Sequence, residues 1–323
     1  MSTEIHNYPD ANFSPNSSQN NSDEIDLREL FSVIWQGKWI IIAITFVFAV
    51  GSVFFAISQP NIYKSEALLS PADTQQGGGG LAALAGQFGG LASMAGINLA
   101  GGGGVDKTQM AIEVMKSRQF ASSFIQKHNI LADLMAAKKW DMANNAIIYD
   151  QELYSAAEQK WLRQVQAPFQ SEPSMQEAYK EFSKIMTVNA AKDTGMVTVS
   201  VEHLSPVIAQ QWVSWLIADI NKEMKTREVA EANRSIDFLQ KQIQQTNVAD
   251  IRTILYKLVE EQAKTVMFAE VRDEYVFKTI DPALVPEEKA KPKRALIVVL
   301  GTMLGGMLAI MLVLIRYFSR KGS

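Results

Sequence analysis

The chain contains no cysteine, which excludes a disulfide framework and any thiolate metal site. Histidine is nearly absent, with His6, His128 and His203 the only three. His6 lies in the polar leader, and His128 and His203 have no second histidine or carboxylate at metal-ligand spacing. Net charge is only −3, from 31 basic and 34 acidic side chains. No basic field suits nucleic acid, and no concentrated patch suits a strongly charged partner. There is no Gly-x-Ser-x-Gly elbow and no Walker-type phosphate loop. The adjacent carboxylates Glu260–Glu261 and Glu287–Glu288 read as solvated charges rather than as catalytic pairs. No catalytic residue, cofactor or metal is therefore expected, and the chain is not read as an enzyme.

What is present is two charge-free apolar runs, Trp39 to Ile57 and Ala295 to Ile315. Each is long enough, at about 1.5 Å per residue, to cross a hydrocarbon core of about 30 Å as a helix. The first follows a long acidic leader and has no small-x-small cleavage site after it, unlike a signal peptide. Two spans predict a hairpin topology with both termini on one side and residues 58–294 on the other. Arg28 and Lys38 precede the first span, against only Lys64 beyond it, which favours a cytoplasmic N-terminus. The second span has cations on both sides and does not choose.

The expected organisation follows. Residues 1–23, rich in Asn, Ser and Pro, form a disordered cytoplasmic leader. Residues 24–38 carry apolar groups at helical spacing. They are either an amphipathic helix on the membrane surface or the water-exposed end of the first span. Residues 39–57 and 295–315 are the transmembrane helices, 58–294 the large domain and 316–323 a cytoplasmic tail. After Pro60, IYKSEALLSP reads as a strand ended by Pro71. Residues 77–104 hold 12 of the 19 glycines. Two glycine tetrads bracket Leu81, Leu84, Phe88 and Leu91 at helical spacing. This is either a flexible insertion or a mobile apolar hairpin that packs inside a ring or touches membrane lipids. No Lys or Arg lies between Lys64 and Lys107 to meet a phosphate there.

From Asp106 the apolar spacing becomes helical, through Phe120, Phe124 and Ile125. Residues 150–182 are polar, with scattered aromatic anchors. Val197, Val199 and Val201 then alternate with polar residues after the turn residues Lys192 to Gly195, which predicts a hairpin. Ser205-Pro206 is a helix start. No glycine or proline follows until Pro282, so residues 206–270 read as a long helix to about 245, a turn, and a returning helix. Trp212 and Trp215 are expected in the core beside the valine strand. EYVFKTI predicts a last strand over 274–280. In the second span, Gly301, Gly305 and Gly306 form a small-residue face for close helix packing. The partner could be the chain's own first span, a neighbouring protomer or a polymerase.

The order of these segments resembles the polysaccharide co-polymerases, the Wzz-type chain-length determinants, over nearly all of residues 24–318. The most specific part is the close: a strand, Asp281-Pro282-Ala283, Pro286, Lys291-Pro292 and a glycine-containing span. The resemblance implies an α+β fold in the bacterial inner membrane. In it two transmembrane helices flank a periplasmic domain with a membrane-proximal α/β base and a long projecting helix or helical hairpin. It also implies a homo-oligomeric ring of about eight subunits and no enzymatic activity. The ring would regulate O-antigen type chain length on a membrane polymerase, with lipid-linked polysaccharide a possible ligand. The Gly-rich insertion departs from the shortest members. Related proteins can carry a cytoplasmic kinase after the second span; with only Arg316 to Ser323 following it here, none is expected. A periplasmic ring adaptor for polysaccharide export is the second expectation, and a two-span sensor the third.

Overall fold

The computed structural model describes residues 27–72 and 107–321. They divide into two units, one holding the residues up to Ser58 and from Arg294 onward, the other Gln59–Lys293. The Gly-rich stretch, with Leu81, Leu84, Phe88 and Leu91, lies outside the described residues, as does the whole leader.

In the first unit, α1 (Leu27–Gln36) and α2 (Lys38–Ser58) are separated at Gly37, and α9 (Arg294–Lys321) runs antiparallel to α2. Both α2 and α9 are long and apolar enough to cross a membrane. The second is seven residues longer than the apolar run, because Arg294 opens the helix and Arg316 to Lys321 continue it. Residues 27–36 form α1, which leads through Gly37 into α2. A separate helix forms, yet the Gly37 amide still donates to the Val33 carbonyl and the Ile41 amide to that of Gly37, so the break is slight.

The second unit is an α+β domain built on a four-stranded antiparallel sheet in the order β6–β7–β1–β8. These strands are β1 (Tyr63–Pro71), β6 (Met186–Ala190), β7 (Val197–His203) and β8 (Phe277–Asp281). Strand β1 alternates as its sequence requires: Tyr63, Ser65, Ala67 and Leu69 are buried, Lys64 and Glu66 exposed. The β6–β7 hairpin turns through Gly195 at φ +68°, where a side chain would be strained. Against the sheet pack α6 (Met175–Ile185) and the first half of α7 (Pro206–Gln245); α3 (Lys107–Lys116) packs on α7 and α4 (Arg118–Lys127) on α6 in the same core. Ser117 separates α3 from α4 by capping the second. Ser174 and Glu177 form a reciprocal capping box at the start of α6. A short α5 (Leu131–Met135) follows α4.

The long helix α7 starts at the Ser205 cap with Pro206 in its first turn, and runs 40 residues, about 60 Å. Its first half buries Trp212, Val213, Leu216, Ile220 and Met224 in the main core. Its second half leaves that core and pairs with α8 (Ala249–Val271) around a separate small cluster of Leu239, Leu255 and Leu258. The returning helix is closed by a cation: Lys225 Nζ donates to the carbonyls of Glu270 and Arg272.

Two differences from the sequence reading have clear causes. Strand β8 begins at Phe277 rather than Glu274, because a side chain occupies the backbone groups ahead of it. Buried Asn221 on α7 accepts from the amides of Val276 (2.8 Å) and Phe277 (3.0 Å) and donates to the Phe277 carbonyl (3.1 Å). Secondly, two hairpins stand where no strand was expected: β2 (Ala137–Asp141) with β3 (Ala146–Tyr149), and β4 (Tyr154–Ser155) with β5 (Lys160–Trp161). No residue from 137 to 172 is fully buried, so no hydrophobic periodicity marks them. Polar contacts hold them instead, including Tyr149 Oη to Asp133 (2.5 Å) and Trp140 Nε1 to Asn145 (3.0 Å).

Candidate functional surfaces

Among the described residues no group of three or more His, Cys, Asp or Glu side chains could hold a metal ion. His203 is buried under Trp212. Its Nδ1 accepts from the Ser205 amide (3.1 Å), which leaves Nε2–H to donate to the Asp133 carbonyl (3.2 Å). Burial holds its pKa below the ordinary histidine value. His128 does have a carboxylate partner, which spacing could not reveal. Its Nε2 lies 2.9 Å from Asp219, 91 residues on, its ring stacks on Trp215 at 4.2 Å, and Lys127 reaches the same carboxylate. Glu260 and Glu261 both pair with Lys264 on α8.

Val197, Val199, Val201 and Trp212 are fully buried in the main core. Trp215 is only half-buried: it lies at the rim, between that core and His128. One further fixed point is Arg163. Its guanidinium grips Glu177 through two nitrogens and donates to the carbonyls of Gln170 and Ser171, tying down the loop before α6. That pair holds the Glu177 carboxyl down to about 2.

The glycines of α9 face α2. A side chain at Gly301 would meet Ser52 Cβ at 2.6 Å, and one at Gly305 would overlap Phe48 Cβ. Gly306 looks more loosely at Thr45, and Gly37 lies against Val313. Gly301, Gly305, buried Ala309 and Val313 recur at four-residue spacing, so the two helices approach along one small-residue seam. Arg294 Nε donates to the Ala56 carbonyl at one end. The opposite faces carry Phe46, Phe54, Phe55, Met303, Met307 and Met311 outward.

The second exposed surface is the α7–α8 hairpin. Phe238, Val248, Tyr256, Met267 and Val271 all stand in solvent there. An open groove of about 630 Å³ runs beside Phe238, with Glu231 and Arg234 of α7 on one side and Gln262 of α8 on the other. Sequence periodicity located this hairpin. It could not separate its outward apolar residues from its inward ones, because both recur at three and four.

Residues 23–128 match the family model of Wzz, the chain length determinant protein. That match takes in the first span and the N-terminal part of the second unit. Residues 238–318, which take in much of the hairpin and the second span, match a second model, the G-rich domain on putative tyrosine kinase. Among solved structures the chain is similar to a full-length bacterial polysaccharide co-polymerase. The identity is 14%, over 92% of this chain and 99% of that one, with a TM-score of 0.38. It is also similar to a fragment of WzzB, a polysaccharide co-polymerase from Salmonella Typhimurium. There the identity is 12%, over 72% of this chain and 100% of the fragment, with a TM-score of 0.28. No curated protein sequence matches it significantly.

Proposed function

We propose that this chain is a non-enzymatic regulator of polysaccharide chain length, of the O-antigen type, working as an oligomeric ring on a membrane polymerase. Both termini lie in the cytoplasm, and residues 59–293 lie in the periplasm of a bacterial inner membrane. The observation that carries this reading, beside the family match, is the α7–α8 hairpin. Beyond Met224 the two helices bury little more than Ala232, Leu239, Leu255, Leu258 and Ala269, while Phe238, Tyr256 and Met267 face water. Two helices with so small a common core gain little stability from each other. Copies standing side by side would cover the outward apolar residues. Such a ring presents one surface repeated at every subunit, on which a growing polymer can be held without the protein making or breaking a bond.

The second reading is a ring adaptor for polysaccharide export. It is favoured by the match of residues 238–318 to a domain defined outside the chain length determinants. Deleting the gene separates the two. Loss of a defined modal length, with polymer still at the surface, supports the regulator. Loss of surface polymer with accumulation inside supports the adaptor. An unchanged length distribution at normal surface level contradicts both.

A further inference from the structure

Three apolar side chains close in sequence to the second span stand in water on a backbone that is held in place. Asp281-Pro282-Ala283-Leu284-Val285-Pro286 leads out of β8. Its prolines fix their own φ and press Asp281 and Val285 toward extended backbone. Ala283 is buried, and its carbonyl accepts from Gln210 Nε2 of α7 at 3.3 Å. The Leu284 carbonyl accepts from the buried Ser65 hydroxyl of β1 at 2.7 Å. Despite these anchors Leu284 is 69% exposed, Val285 47% and Ile280, at the end of β8, 51%. Fraying does not account for this, because the carbonyls between the exposed side chains are bonded. The fold presents these three outward.

Both chain ends of the domain meet at Ile62, three residues along β1 from the Ser65 that holds Leu284, whereas Ile280 lies farther along β1, opposite the Leu68–Leu69 bulge. The Ile62 amide donates to the Lys291 carbonyl at 2.9 Å, and the Ala290 amide to the Ile62 carbonyl at 2.8 Å. Ile62 follows the last residue of α2, Ser58, by four positions, and Lys291 precedes the first residue of α9, Arg294, by three. Lys289 and Lys293 are exposed in the same linker, while Lys291 pairs with Glu202. Apolar side chains next to a span, followed by lysines, suit the boundary between acyl chains and headgroups.

We propose that Leu284 and Val285 form a foot that inserts into the lipid interface on the side of the bilayer that carries residues 59–293. Its partner is a lipid surface. The proposal rests on α2 and α9 crossing that bilayer. Glu287 and Glu288 offset the lysines, so apolar burial rather than charge holds the foot, and anionic lipid is not required.

The absence of cysteine makes single-site labelling direct. Leu284→Cys and Val285→Cys are each labelled with an environment-sensitive fluorophore, and the full chain is placed in phosphatidylcholine vesicles containing doxyl-labelled lipid. Val248→Cys, at the tip of the helical hairpin, serves as the aqueous reference, and Phe54→Cys, on the outer face of α2, as the bilayer reference. The expected result is loss of most of the fluorescence at 284 and 285. It should be stronger with shallow than with deep doxyl groups and unchanged when anionic lipid is added. Labels at 284 and 285 as weakly quenched as at 248, with 54 quenched, would overturn the foot and leave the spans standing. Shielding of 284 from aqueous iodide without lipid quenching would show a second copy covering it, and would overturn it too. An unquenched label at 54 would overturn the membrane reading and the foot together.

Discussion

Trp212 and Trp215 lie within one helical turn of each other and do different work. Trp212 fills the main core between α6, α7 and His203, whereas Trp215 closes its rim by stacking on His128. Trp212→Ala should therefore cost about 3–5 kcal/mol in denaturant unfolding, and Trp215→Ala distinctly less; equal losses would contradict this placement. His203 makes a second prediction, in pH. The pocket accepts a neutral imidazole, so its folded pKa lies below the ordinary value. Below about pH 6.5 the unfolded chain takes up a proton that the buried ring does not. The stability this ring contributes is present above that pH and is lost as pH falls through the lowered folded pKa. Melting temperature should fall between about pH 7.5 and pH 5.5 in the native chain and fall less in His203→Gln. Glu177, held down by Arg163, adds a loss of the same sign only below the carboxylate range, so the two windows are separable. Neither the His203 pocket nor the Asn221 latch was visible in the sequence, because their partners lie 55 to 70 residues away.

Elements were legible where one local rule decided them. The alternation of Val197, Val199 and Val201 placed β7, and the lack of glycine and proline after Ser205-Pro206 placed α7 and α8. The hairpins between 137 and 161 were not legible. Strands of two to five residues with no buried side chain carry no period, and they persist through specific polar contacts. In the spans, small-residue spacing showed a packing face but not its partner, which the chain's own α2 supplies. The contact is tight at Gly305 and open at Gly51, beside which nothing lies within 4 Å. Gly305→Leu should thus force α9 from α2, while Gly51→Leu should be tolerated. Both variants should reach normal membrane abundance, since leucine favours the bilayer. The polymer's modal length should be lost in the first and kept in the second. A native length distribution from an abundant Gly305→Leu variant would show that this seam does not matter.

At the scale of the whole molecule, the described residues form two units. One is a pair of apolar helices closed along a glycine seam. The other is an α+β domain whose long helix leaves its core and carries a thinly packed hairpin. The exposed apolar positions of the hairpin call for neighbours. The account is that this chain sets the length of a polysaccharide that another protein makes. The most direct measurement is polymer length in vesicles holding a purified polysaccharide polymerase and its lipid-linked substrate, with and without this full chain. The account predicts a broad distribution without it and a modal one with it, and no polymer from this chain alone. A distribution that stays broad when the chain is present, or polymer formed in the absence of the polymerase, would contradict it.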